Sequence, residues 1–189
     1  MAKVQDNIVM KGLSGTLGDQ LVIKAGRGGK TIVSAKPSFN PDRAFSPAQL
    51  IQQQAFREAA AYAKQMKGEE IYVKKANGGA KSPYNIAVAD WFNRPEVLEV
   101  DMSGWTNGSG GTIRVRAQDD VAVTGVKLTI ADENGAPLEE GEAVDAGALW
   151  WEYSTAQAYA VNMRVTAAAR DLPGHVSERT ELVGHPKMP

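Results

Sequence analysis

The tightest constraint in this sequence is an alternation. From Leu98 onward, "TIRVRA" sets Ile113, Val115 and Ala117 on one side of an extended chain, and "VTGVKLTIAD" does the same with Val126, Leu128 and Ile130. Successive side chains of a strand point to opposite faces, so this pattern buries one face and wets the other. "NGAPLEE" carries an Asn134-Gly135 turn signal, and "ALWWEYS", "AVNMRVTAAA" and "HVSERTELV" complete the set. Roughly six or seven short strands separated by turn signals predict an antiparallel β-sandwich over residues 95–189.

The first half reads differently. Residues 1–45 form a predicted β arm and linker. Leu21, Val22 and Ile23 lead into a Gly-rich loop, and Thr31, Ile32 and Val33 lead out of it, which is the pattern of a hairpin. Pro37 and Pro41 stop the second strand because proline has no N–H to donate. Residues 46–94 are a helical segment. Ser46, Pro47 and Gln49 make a capping box, and Ile51, Ala55, Ala59, Tyr62 and Met66 follow as one apolar stripe. Ser82-Pro83 repeats the start signal for a second helix ending before Pro95. Residues 69–82 stay open between helix and strand. The fold class expected is therefore mainly β with α: a β-hairpin arm, one or two helices, then the sandwich.

Residues 98–183 resemble the bacterial immunoglobulin-like modules. The resemblance lies in "IRVRAQDDVAVTGVKLTIADENGAPLEEG", in "WWEY" and in "VTAAARDLPGHV", with His175 where such modules usually carry Asn. It implies an immunoglobulin-like sandwich and no shared catalytic site. The stretch "LSGTLGDQLVIKAGRGGKTIVSAKP" with "SPAQLIQQQAFREAAAYAK" is similar to an uncharacterised group of bacterial proteins, which implies no function.

Charge divides along the same line. Residues 1–94 hold 14 Lys and Arg against 7 Asp and Glu, and residues 95–189 hold 7 against 15, so a net of +7 faces a net of −8. Such asymmetry fits attraction between molecules, or a basic half meeting an anionic polymer. The absence of cysteine excludes disulfides, thiolate metal sites and Cys nucleophiles. No run reaches the ~20 apolar residues of a membrane helix, so no membrane partner is expected. "MAKVQDNIVMKG" shows no signal-peptide core, so the expected compartment is the cytoplasm, or outside the cell if the chain is released as part of an appendage or particle.

Gly29-Lys30-Thr31 looks like the end of a phosphate-binding loop, but that motif needs a glycine five residues before Gly29, where Lys24 stands. It also needs a helix to follow, and "TIVSAKP" is β-branched and ends at proline. The loop reads as a hairpin tip solvated by Arg27 and Lys30. His175 and His185 are the two histidines, and no spacing pairs them for metal. Asp119, Asp120 and Asp171 could meet at one pole of the sandwich as oxygen ligands for calcium; against that, Asp171 suits a turn bonded to its own backbone. Adjacent strand residues Trp150 and Trp151 must face opposite ways, one into the core and one outward as a contact candidate. Trp91 and Phe92 are expected at the junction of the two halves.

No catalytic constellation and no cofactor or small-molecule site emerges, so an enzyme is not expected. A hairpin alone is marginal in water, and its edges seek partners. The expected function is a self-assembling structural subunit of a filament, appendage or particle, a homo-oligomer built by strand addition. Its interaction residues are Leu21, Val22, Ile23, Arg27, Lys30, Ile32, Val33, Trp150 and Trp151. Packing of the arm in cis or in trans is open. The alternatives are a monomeric binding module for a glycan or protein, and a nucleic-acid-associated protein using the basic half.

Overall fold

The computed structural model describes residues 2–4, 13–18, 20–26, 30–38, 40, 44–77, 79–105, 111–156, 158, 160 and 162–183. The chain divides into two units, residues 1–50 and 51–189.

The first unit holds strands β1 (Ala2–Val4), β2 (Gly15–Leu17), β3 (Leu21–Ala25) and β4 (Thr31–Ala35). The expected hairpin is β3–β4, paired antiparallel from Leu21↔Ala35 to Ala25↔Thr31. The Gly26 N–H donates to the Lys30 carbonyl at 2.6 Å and closes its loop. The hairpin is not two-stranded, however. The sheet runs β1-β4-β3-β2, so β3 and β4 are central and β1 and β2 are the outer strands among the described residues. Two elements too short to show a period explain the difference. Gly18 takes a φ of +56°, which glycine tolerates without a Cβ clash, and the turn it makes pairs Leu17 with Leu21. Residues 2–4 then pair with β4.

Helix α1 (Pro47–Met66) starts on the expected capping box. The Ser46 N–H donates to Gln49 Oε1 at 3.0 Å, and the Gln49 N–H donates to Ser46 Oγ at 3.3 Å. The stripe on α1 divides: Ala59 is buried and Ala55, Tyr62 and Met66 are half-buried, whereas Ile51 is 71% exposed. The ambiguous stretch "EEIYVKKA" is helix α2 (Glu70–Ala76). Tertiary packing decides this, because Tyr72 is fully buried with Ala63, Ile86 and Ala87. Helix α3 (Pro83–Phe92) is capped by Ser82, whose Oγ accepts from the Asn85 N–H at 3.3 Å.

Eight strands follow: β5 (Glu96–Asp101), β6 (Thr112–Gln118), β7 (Val123–Ala131), β8 (Pro137–Glu142), β9 (Val144–Gly147), β10 (Trp150–Ser154), β11 (Arg164–Asp171) and β12 (Val176–Leu182). They form two four-stranded antiparallel sheets, β5-β6-β10-β9 and β12-β11-β7-β8. The alternation delivers the core between them. Ile113, Val115, Val126, Leu128, Ile130, Val165, Ala167 and Ala169 have no exposure, and Ala117 has 1%. Strand β9 exceeds the six or seven expected because all four of its residues are exposed, which leaves no alternation to detect. At the β8 end, Gly141 leaves room for Tyr153 of the facing sheet: a Cβ there would lie 2.7 Å from the ring. The Tyr153 hydroxyl donates to Glu139 at 2.8 Å, and burial, then the Glu139 carboxylate, pushes its pKa up to about 12.

The helical layer packs on one pole of this sandwich. Val121, from the β6–β7 turn, and Leu172, from the β11–β12 turn, both pack on the cluster around Tyr72.

Candidate functional site

Two regions carry the residues singled out above. The first is the N-terminal sheet. Its register places Leu17, Leu21, Ile23, Thr31, Val33 and Ala35 on one face, with Ile23 directly opposite Val33. The other face carries Val22, Lys24, Ile32 and Ser34. Ile23 and Thr31 are buried; Val22, Ile32 and Val33 are half-buried; Lys24 and Lys30 are exposed. Leu13, Leu17 and Leu21 are exposed, Leu17 to 62%. Arg27 lies outside the described residues.

The two tryptophans separate as a strand requires. Trp151 packs against the sandwich core. Trp150 points the other way and lies beneath the Arg114 guanidinium, 4.8 Å from the ring centroid. Arg114 also pairs with Glu152 at 3.1 Å, so the outward indole is roofed by a tethered cation.

The second region is the pole beneath the helices. The Asp119 Oδ2 accepts the N–H groups of Val121 at 2.8 Å and Ala122 at 3.0 Å, which folds the β6–β7 turn back on itself. Asp120 Oδ2 accepts from Asn93 Nδ2 at 2.9 Å, and Lys75 Nζ bonds the Asp120 carbonyl. Beside them stands a residue that sequence reasoning passed over. Asp90, fully buried on α3, accepts a hydrogen bond from the Tyr72 hydroxyl, which lies 2.6 Å from the Tyr62 hydroxyl. Burial pushes the Asp90 carboxyl up to about 7; the Tyr72 bond opposes this, and the charges of Asp119, Asp120 and Asp171 add to it. Tyr72 is raised by burial and by its bond to Asp90. Tyr62 is raised by burial as well.

Carboxylate oxygens of Asp90, Asp119 and Asp120 all lie within 4.8 Å of one another. Asp171 is not in this group. Its Oδ1 accepts the His175 N–H at 2.6 Å, and its Oδ2 lies 3.0 Å from His175 Nδ1, the backbone-bonded turn that "DLPG" suggested. Trp91 ties the pole together, with ring centroids 5.3 Å from Tyr62 and 5.2 Å from His175. Phe92 is 40% exposed. An aspartate inside the apolar run "IAVADWF" was the one linear signal for Asp90. Tyr62 and Tyr72, on different helices, had none.

No protein-family model matches the chain, and no curated protein does. Among solved structures, an engineered protein is similar over 54% of this chain at 20% identity and a TM-score of 0.35; the chain spans 26% of that protein's length. CopC from Methylosinus trichosporium OB3b is similar over 46% of this chain and 87% of its own, at 18% identity and a TM-score of 0.33. Likenesses this distant bear on neither function nor partners.

Proposed function

We propose that this protein is a non-enzymatic, self-assembling structural subunit whose N-terminal sheet docks on a neighbouring copy. One observation carries the reading. Residues 1–50 form a four-stranded sheet whose described residues bury just two side chains, Ile23 and Thr31, and leave Leu13, Leu17 and Leu21 exposed. A sheet with so little core needs cover to be stable, and its short edge strand β2 has no second strand partner among the described residues.

The occupant is the sandwich of a second copy. Its edge strands β8 and β9 present exposed Leu138 and Val144, the latter to 73%, among Glu140, Glu142 and Asp145. The exposed cations Lys24 and Lys30 of the sheet complement the carboxylates beside Leu138 and Val144. Backbone pairing along β2 supplies length-dependent affinity. Because the two surfaces differ, the contact is heterologous and propagates into rings or filaments. The carrier sandwich is of immunoglobulin-like type in this reading. Lettered in chain order A, B, C, C′, D, E, F and G, strands β5–β12 give sheets A-B-E-D and G-F-C-C′, the order of immunoglobulin constant domains with one strand added.

Sizing with light scattering and negative-stain microscopy test this. The full chain should form large species or fibres, and removal of residues 1–36 should abolish them. Lys24→Glu with Lys30→Glu should weaken assembly, and Glu140→Lys with Glu142→Lys in the same chain should restore it. A monomer of 20.2 kDa at high concentration overturns the proposal.

A further inference from the structure

The acidic pole has a second feature besides its crowding. Each carboxylate has one oxygen held by a donor from outside the cluster. The Tyr72 hydroxyl holds Asp90 Oδ2, the Val121 and Ala122 amides hold Asp119 Oδ2, and Asn93 holds Asp120 Oδ2. Two of the opposite oxygens are left over. Asp90 Oδ1 and Asp119 Oδ1 are buried and have no hydrogen-bond partner. Asp90 itself has no solvent exposure. A buried carboxylate with an unsatisfied oxygen is costly unless something compensates it. Lys75 bonds the Asp120 carbonyl and not these two oxygens.

We propose that Asp90, Asp119 and Asp120 bind a hard divalent cation, the first two through these spare oxygens, and that the ion is calcium. Three carboxylates with no nitrogen or sulfur donor are the ligand set of a hard ion. Carboxylate oxygens of all three lie within 4.8 Å of one another, close enough to share one ion. Calcium is the choice because it accepts oxygen ligands in flexible geometry, whereas magnesium demands a near-ideal octahedron and keeps several of its waters. The donors on the other oxygens act as an outer shell that fixes each carboxylate's orientation. The site joins α3 to the β6–β7 turn. Its ion therefore clamps the helical layer to the sandwich, independently of the N-terminal sheet and of assembly.

The test uses the full chain stripped of metal with a chelator. Calcium chloride should raise its melting temperature in a saturable way, because an ion bound only by the folded state stabilises it by mass action. Terbium should bind in calcium's place and emit on excitation of the neighbouring Trp91, and calcium should displace it. Asp90→Asn keeps the side chain's shape and an oxygen for Tyr72, and should lose calcium binding at least about tenfold, as changes to even outer-shell partners do. Asp120→Asn, at the exposed rim, gives the same readout if the buried variant does not fold. No melting shift and no sensitised emission at about 10 mM calcium, beyond the range of the weakest calcium modules, overturns the site. So does an Asn variant that binds as tightly as the parent. A larger shift with magnesium than with calcium overturns the choice of ion.

Discussion

The two β structures in this chain are built to opposite specifications. The C-terminal sandwich closes two four-stranded sheets over thirteen buried residues, eight of them at zero exposure in β6, β7 and β11. The N-terminal sheet also has four strands, yet its described residues bury only Ile23 and Thr31. Strand count therefore says little about stability. What differs is a second layer: the sandwich carries its own, and the N-terminal sheet has none among its own described residues. The sandwich buries its own core, and the sheet leaves apolar side chains exposed.

The largest test of this contrast is a matched pair of truncations. Leu128→Ala removes fully buried atoms, and urea unfolding should show a loss of about 2–5 kcal/mol. Leu17→Ala, exposed on the edge strand, should move stability by less than about 0.5 kcal/mol while weakening assembly. Equal losses would break the contrast.

A smaller effect asks whether the helical layer belongs with the sandwich. Tyr72→Phe deletes the hydroxyl between Asp90 and Tyr62 and should cost about 1–3 kcal/mol, the penalty for stranding a buried acceptor. Tyr62→Phe should cost less, because Tyr72 still donates to Asp90. Both variants should unfold the helices and sandwich in one transition by circular dichroism. A separate early helical transition would put the helices outside the sandwich's cooperative unit.

The smallest effect is in acid. The Ser103 backbone N–H bonds Asp101 at 2.9 Å and, with the Ser103 side chain, holds that carboxyl below its usual range. A carboxyl depressed in the folded state stabilises it fully above the usual carboxylate pKa, and this contribution fades as pH falls through the depressed value. Asp101→Asn should flatten the acid limb of the sandwich's stability curve by lowering stability at neutral pH, where the charged carboxylate contributes fully, and leave the lowest pH unchanged. An unaltered acid limb in thermal melts taken across low pH would remove Asp101 from the account.

Legibility tracked the length of the repeating signal. Ile113, Val115, Ala117, Val126, Leu128 and Ile130 stood out because a two-residue period persists through β6 and β7, and all six are buried. The capping box at Ser46 and the cap at Ser82 were legible because their bonds span three residues. Strands β1, β2 and β9 were not, since three or four residues hold no period. The pole was half legible. Asp119 and Asp120 stood out as adjacent acids, but Asp171 is engaged by His175, and Asp90 takes the place expected of it.

By itself the sequence determined the sandwich, its inward residues, its helix starts and the basic-to-acidic division, because each is written in neighbours a few positions apart. Tertiary structure alone decided that "EEIYVKKA" is a helix, that β3 and β4 lie inside a sheet, and that Asp90 meets Asp119 and Asp120. Those outcomes depend on contacts between residues far apart in the chain, and on burial, which no local period encodes.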